Sequence, residues 1–174
     1  MRGTNSQPYR WSATGDEQAA FVIQAMAYAI ASDVERVIFY RASDTGEREA
    51  WGLLSANGTP RKVETAFQFA STLLSGSSTA TLVREKGADR VVVDQPGRRV
   101  TIAWAIGPVD VVVSIPAING QGADIRDKVG GIGQLIAVEG VYAILLPAAS
   151  ANQGTSAADF LIGGEPVVIV ETKS

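Results

Sequence analysis

Residues 34–54 have the sequence VERVIFYRASDTGEREAWGLL. An apolar run at 37–40 leads into a polar loop that carries three carboxylates, and the segment 51–54, WGLL, then predicts a return to the interior. This order is typical of a buried parallel strand that ends at the ligand-bearing edge of a sheet. We therefore predict a strand at 36–40, and its unbroken apolar character predicts cover on both of its faces.

A helix is predicted before this strand. Thr14-Gly15-Asp16-Glu17 matches a capping box, in which the Thr14 hydroxyl accepts a first-turn N–H and Glu17 returns a hydrogen bond. From Glu17 to Ser32 the residues are mostly helix formers, with many alanines and a broad apolar surface. Such a helix fits against a sheet.

A second helix is predicted after the strand, at 60–74. Asn57-Gly58 predicts a type I′ turn, and Thr59-Pro60 supplies an N-cap and a first-turn proline. Apolar residues then recur at spacings of three and four, which favours one buried helical face: Val63, Ala66, Phe67, Ala70 and Leu73.

Only strand-like sequence follows the linker Ser75-Gly76-Ser77-Ser78. Apolar residues alternate with polar ones in short runs separated by glycine-rich turns, which indicates an antiparallel sandwich. The alternating runs include Val91 and Val93; Val100, Ile102 and Trp104; and Val109 to Ile115, with further strands near 123–127, 133–138, 140–146 and 166–171. Because Trp104 lies in an alternating strand, it is predicted to belong to the core. The predicted fold class is α+β, with a helix-strand-helix domain at 1–75 and a β-sandwich domain at 79–174.

Composition excludes several kinds of chemistry. The 174 residues include neither Cys nor His, so thiol catalysis, disulfides, ordinary zinc sites and Ser-His-Asp catalysis are excluded from this chain. The net charge of −3 and the absence of a basic run give nucleic acid no electrostatic attraction. No apolar run approaches the roughly 20 residues of a membrane span, and MRGTNSQPYRW has no signal-peptide core, so we expect a soluble chain of unassigned compartment.

Three carboxylates, those of Asp44, Glu47 and Glu49, lie in one predicted loop. A carboxylate pair about 5 Å apart can divide the acid and nucleophile roles of glycoside hydrolysis. The alternative is a solvated loop whose charges pair locally with Arg41 and Arg48, and we favour that interpretation. No catalytic residue is assigned.

Tyr40 and Trp51 flank the same loop. Aromatic rings beside polar groups are what a sugar-binding surface requires, since the C–H faces of a pyranose stack on rings. The alternative is a pair of core aromatics that close the end of a sheet. Elsewhere, Asp124 and Asp127 are too few for a calcium site, and the glycines at 130–133 indicate a hairpin, so no metal or cofactor is expected.

Two long segments carry a family resemblance. DEQAAFVIQAMAYAIASDVERVIFYRASD with EAWGLLSANGTPRKVETAFQFASTLL resembles the seventh helix, eighth strand and eighth helix of the cellulase-like, retaining (β/α)₈ glycoside hydrolases. The remainder, from RRVTIAWAIGPVDVVVSIPA through YAILLPAAS to FLIGGEPVVIVE, is similar to the small β-sandwich that packs behind such barrels.

The resemblance implies that catalytic residues are missing from this chain. In that family the acid/base Glu follows the fourth strand and the nucleophile Glu follows the seventh, whereas this chain begins near the end of the seventh strand. Arg2-Gly3-Thr4-Asn5 falls where relatives carry a Glu-Thr-Asn motif, and Gly3 stands in the Glu position. Asn5, Tyr40, Asp44 and Trp51 would then be remnants of a sugar subsite wall.

The expected function is that of a non-catalytic C-terminal region of a glycoside hydrolase, with carbohydrate as the partner of the full-length enzyme. Two barrel strands cannot close a barrel, so the missing barrel or an oligomer is expected to cover the exposed apolar faces. One alternative is a free-standing carbohydrate-binding or structural β-sandwich module. Another is an intact small enzyme that uses Asp44 with Glu47 or Glu49.

Overall fold

The computed structural model describes residues 13–46, 50–118, 122–150 and 162–173. These residues form two helices and antiparallel sheets, which confirms the α+β class. In chain order the elements are α1 (Gly15–Ala31), α2 (Lys62–Leu74), β1 (Thr79–Glu85), β2 (Ala88–Gln95), β3 (Arg98–Ala105), β4 (Val111–Pro116), β5 (Gly122–Arg126), β6 (Ile132–Ile136), β7 (Val141–Leu146) and β8 (Val167–Thr172).

The strands form two sheets. The larger has six strands in the order β1-β2-β3-β8-β5-β6, and the smaller pairs β4 with β7. All of these strand pairs are antiparallel. The structure contains strands at the predicted positions beyond residue 85, whereas β1 was not predicted because its sequence, TATLVRE, is largely polar.

Each face of the larger sheet is covered by its own apolar cluster, so the described residues form three layers. The first cluster lies between the helices and the sheet, and it joins Ala19 and Ala66 of the helices to Val91 and Val100 of the strands. The second lies between the two sheets and contains Tyr142 and other side chains. The predicted domain boundary at residues 75–78 stays a prediction, and the first cluster contains residues from both sides of it.

The helix starts follow local hydrogen bonding. The capping box of α1 is confirmed: the Glu17 N–H donates to the Thr14 hydroxyl at 3.2 Å, and the Thr14 N–H donates to the Glu17 carboxylate at 2.7 Å. The start of α2 is two residues later than predicted, at Lys62. The reason is that the Arg61 N–H donates to the Leu53 carbonyl at 3.0 Å, which keeps the preceding residues in the loop.

The predicted strand at 36–40 is wrong. These residues adopt neither helix nor strand, and Ile38 and Tyr40 are 86% and 92% exposed. A buried strand requires a hydrogen-bonded neighbour, and no described residue pairs with this segment. Only Phe39 is anchored, by an edge-to-face contact with Phe67 of α2 at a centroid distance of 5.1 Å.

The turn at Asn57-Gly58 exists but is not of type I′. Gly58 has a φ of +81°, whereas Asn57 is not among the described non-glycine residues with positive φ. The Gly58 N–H donates to the Ser55 carbonyl at 2.9 Å. The Asn57 side-chain oxygen accepts the Thr59 N–H at 3.0 Å, so the side chain holds the turn in place of a second left-handed residue.

Two further predictions are confirmed. Trp104 is buried and makes an edge-to-face contact with Tyr28 at 5.0 Å, and burial together with the neighbouring Asp89 carboxylate raises the pKa of Tyr28 well above its ordinary value. The glycines at 130–133 lie in the β5–β6 hairpin, where the Asp127 carboxylate accepts the N–H groups of residues 129 and 131. Neither described helix has the length and apolar character that crossing a membrane requires.

Candidate functional site

An open cleft of about 370 Å³ lies beside the segment that was predicted as a strand, and it is lined by Phe39, Tyr40, Arg41 and Trp51. Trp51 is 70% exposed, and Tyr40 is more exposed still. The Arg41 guanidinium lies 5.9 Å from the centre of the Tyr40 ring, within range of a cation–π contact. The interpretation of Tyr40 and Trp51 as core aromatics is therefore wrong, because both rings face solvent.

The loop that presents Trp51 is held by its own backbone. The Asp44 N–H donates to the Leu54 carbonyl at 3.0 Å, and the Leu54 N–H donates to the Ala42 carbonyl at 2.9 Å. Ser43 and Leu54 form a parallel bridge, and Leu54 also bridges to Pro60. The backbone at residues 42–44 and the backbone at residue 54 are thereby held side by side next to the cleft.

Asp44 is buried beneath this loop and does not line the cleft. Its carboxylate accepts the Trp51 N–H at 3.0 Å and the Gly52 N–H at 2.7 Å, and it pairs with the Arg61 guanidinium. Burial alone would raise the pKa of Asp44, but the hydrogen bonds from Gly52, Arg61 and Trp51 outweigh it and hold the pKa below its usual value. Asp44 is thus an ionised group that fixes the backbone at Trp51.

Gly52 occupies a position in this loop where a side chain does not fit. A Cβ added there would lie 2.7 Å from the Asp44 nitrogen and 2.7 Å from the Leu54 oxygen, both of which are backbone atoms. The glycine therefore allows these two stretches of backbone to approach each other.

Sequence reasoning missed Arg61. The local partners proposed for the loop carboxylates were Arg41 and Arg48, whereas the Asp44 partner lies 17 positions along the chain, just before α2. No local pattern identifies such a pair, because it is created by the fold of the loop. Arg41 donates to the Thr45 hydroxyl at 3.5 Å.

Several predicted positions lie outside the described residues. They are Asn5 and the motif at 2–5 that contains it, Glu47, Glu49 and Arg48. Tyr40 and Trp51 are brought together at the cleft, and Asp44 lies behind it. Among the described residues there is no group of three or more acidic side chains arranged to hold a metal ion.

Comparison with known proteins places the fold among glycoside hydrolases. No protein-family model matches this chain, and no curated protein matches it in sequence. A family 39 glycoside hydrolase from the gut symbiont Bacteroides cellulosilyticus WH2 superposes with a TM-score of 0.65 at 17% identity, over 93% of this chain and 31% of its own.

Two solved family 30 enzymes are also similar. The subfamily 8 xylanase Xyn30A from Clostridium acetobutylicum has a TM-score of 0.57 at 10% identity, over 94% of this chain and 41% of its own. A GH30 endoxylanase from Clostridium papyrosolvens C71 has a TM-score of 0.51 at 14% identity, over 92% of this chain and 40% of its own. This chain thus spans less than half the length of each enzyme. At sequence identities this low, the similarity shows a shared fold and nothing more.

Proposed function

We propose that this chain is a non-catalytic C-terminal region of a glycoside hydrolase, as its fold likeness to family 39 and family 30 enzymes suggests. In this proposal α1, the segment 36–40 and α2 are the last parts of a (β/α)₈ barrel, and the two sheets are the β-sandwich behind it. The barrel part comprises residues 1–75 and the β-sandwich comprises residues 79–174. The acid/base and the nucleophile Glu belong to parts of the fold that this chain does not supply.

One observation carries the proposal: an apolar segment and two aromatic rings are exposed together. Val37 and Ile38 are exposed although Phe39, the next residue along the chain, is anchored on α2. Contiguous exposed apolar surface of this kind marks an interaction site in a globular protein. A barrel strand on each side would cover Val37 and Ile38 and give the segment the pairing it lacks.

The aromatic rings supply the carbohydrate contact in this proposal. Tyr40 and Trp51 line one cleft, and Arg41 provides hydrogen-bond donors at its wall. Asp44 is a positioning residue that holds the Trp51 backbone. Asn5 belongs to the same proposed subsite wall.

The test is calorimetric titration of the pure chain with a panel of oligosaccharides, including xylo-oligosaccharides. We expect weak, saturable binding of at least one, and Trp51→Ala should weaken it at least about tenfold, since a stacked ring contributes about 1.5 kcal/mol. The matched control is Phe21→Ala, which removes a half-exposed ring from α1 and should leave the affinity unchanged. Binding that is insensitive to Trp51→Ala would contradict the assignment of the cleft.

Catalysis provides a second criterion. A glycoside hydrolase site requires two carboxyl groups placed about the scissile bond, and Asp44, which lies behind the cleft, is already engaged by Arg61 and two N–H groups. We therefore expect no turnover of aryl glycosides by the pure chain. Robust turnover that survives repurification would refute the proposal.

A second candidate function is sugar binding by the β-sandwich itself. A second open cleft, of about 490 Å³, lies between the β5–β6 hairpin and β8, and its walls include Arg126, Asp127 and Glu165. The same titration separates the two candidates. Loss of binding in Arg126→Ala with retention in Trp51→Ala would favour the β-sandwich.

A further inference from the structure

The strand β6, residues Ile132–Ile136, is an edge strand with one open side. It pairs with β5 alone, and no described residue pairs with its other side. An edge strand presents a row of backbone donors and acceptors that can pair with a further strand. The hydrogen-bonding potential of β6 is therefore half used within the described residues.

This edge lacks the features by which proteins usually block strand addition. From 129 to 138 the sequence is VGGIGQLIAV, which contains no charged residue and no proline. Natural edge strands are commonly protected by lysine, proline or a bulge. The opposite edge of the sheet, β1, ends in Arg84-Glu85 and so carries charge where β6 carries none.

Two isoleucines stand on one face of this open edge. Ile132 and Ile136 are 63% and 77% exposed, and the register with β5 places them on the same face as Asp124 and Arg126. Those two charges pair with each other at 3.1 Å. The isoleucines therefore lie beside a locally neutral surface, which suits an apolar and uncharged partner strand.

We propose that β6 pairs in antiparallel fashion with β6 of a second copy of this chain, about a two-fold axis through Gln134, so that the two larger sheets become one. Ile132 then faces Ile136 of the partner subunit, and Ile136 faces Ile132 of the partner subunit. Gln134 faces Gln134 of the partner subunit. Cross-strand apolar pairs of this kind stabilise sheets, and closed two-fold symmetry is the commonest form of association.

The register follows from the pleat. Both copies carry even-numbered residues on the same face, so even-numbered residues must face even-numbered ones across the two-fold axis. Centring the axis on Gln134 is the arrangement that overlaps the full five-residue strand and places isoleucine against isoleucine. A strand from an unrelated protein with charges at these positions would instead bury a charge against an isoleucine.

Sedimentation velocity over a concentration series, roughly 1 µM to 1 mM for an interface of this size, tests the proposal. The unaltered chain should show a monomer–dimer equilibrium. Ile132→Lys and Ile136→Glu should each weaken dimerisation at least about tenfold, because each sets a charge against an isoleucine of the partner. Val112→Lys is the matched control, since Val112 is 66% exposed on β4, and it should leave the equilibrium unchanged.

The decisive arm mixes the two weakened variants in equal amounts. Across the two-fold axis the introduced lysine faces the introduced glutamate, and the remaining isoleucine pair is intact, so a heterodimer should re-form. Its recovery also shows that both variants are folded, which circular dichroism checks independently.

The proposal is overturned if the unaltered chain stays monomeric throughout the series or if the mixture does not recover the dimer. It is also overturned if Ile38→Lys abolishes association while Ile132→Lys does not, because the segment 34–40 would then be the interface. The inference goes beyond the proposed function: sugar titration of the Ile136→Glu variant, whose substitution lies outside the linings of both clefts, measures that function without the dimer.

Discussion

The Asp44 carboxylate holds the loop beside the cleft although it does not line the cleft itself. It lies beneath the loop, where it accepts two backbone N–H groups and pairs with Arg61. A carboxylate that is buried in this way stays ionised because its hydrogen bonds favour the charged form more than burial penalises it. The position of the Trp51 ring therefore depends on a side chain that the cleft does not expose.

Asp44→Asn should destabilise the protein by about 1–3 kcal/mol, because the amide leaves Arg61 without its counter-charge and places a donor against donors. Urea unfolding at neutral pH measures the change. The folded pKa of Asp44 lies below its unfolded value, near 3.9, so the stabilisation is fully present above that value and is lost as the pH falls through the folded pKa.

The difference between wild type and Asp44→Asn should therefore be constant from pH 6 to 8 and should shrink below about pH 4. Glu35→Gln, at an exposed position with no described partner, is the control and should change stability little. A difference that grows on acidification would contradict the ionised state of Asp44.

At the scale of elements, polar side chains connect the helices to distant strands. Gln24 of α1 is buried, its amide donates to the Gly164 carbonyl at 2.8 Å, and its oxygen accepts the Gly163 N–H at 2.9 Å. A glutamine in the middle of a helix gives no sequence signal of this role, because its partners are some 140 positions away. The contact fixes the chain that enters β8 against α1.

Gln24→Leu should destabilise the protein by about 2 kcal/mol, because the buried Gly164 carbonyl and the partly buried Gly163 N–H lose their partners while volume and apolar packing are kept. Chemical denaturation measures this loss. Gln68→Leu, on the exposed face of α2, is the matched control and should cost little. Equal stability of the two variants would show that the backbone at residues 163 and 164 finds other partners.

For the whole molecule, the three layers share one central sheet. Its helix-facing side buries Val91, Val93, Ile102 and Trp104 beneath α1 and α2. The predicted domain boundary at residues 75–78 thus separates two segments whose apolar cluster is common to both. Either segment alone would have to leave its side of this apolar cluster exposed to water.

We therefore expect a fragment of residues 79–174 to lose cooperative unfolding and to bind a hydrophobic dye strongly, whereas the full chain should unfold in one transition. Thermal unfolding followed by circular dichroism, with dye fluorescence in parallel, makes the comparison. Adding a fragment of residues 1–75 should restore the transition if the two segments share a core. A fragment 79–174 that unfolds cooperatively by itself would establish independent domains.

The sequence by itself determined the elements whose signals are local. A capping box predicted the start of α1, apolar residues at spacings of three and four predicted the buried face of α2, and alternation predicted most strands together with the burial of Trp104. Each of these signals depends on hydrogen bonds or side-chain directions within a few residues, so it can be recognised without knowledge of the fold.

Only the tertiary structure decided the state of residues 36–40, the partner of Asp44 and the exposure of Tyr40 and Trp51. An apolar run is compatible with a buried strand, but it becomes one only when neighbouring strands satisfy its backbone, and the described residues place none beside it. In the same way, the Asp44–Arg61 pair forms only once the loop has folded. The local sequence pattern limits the structures that a segment can adopt, and long-range contacts determine which of them it adopts.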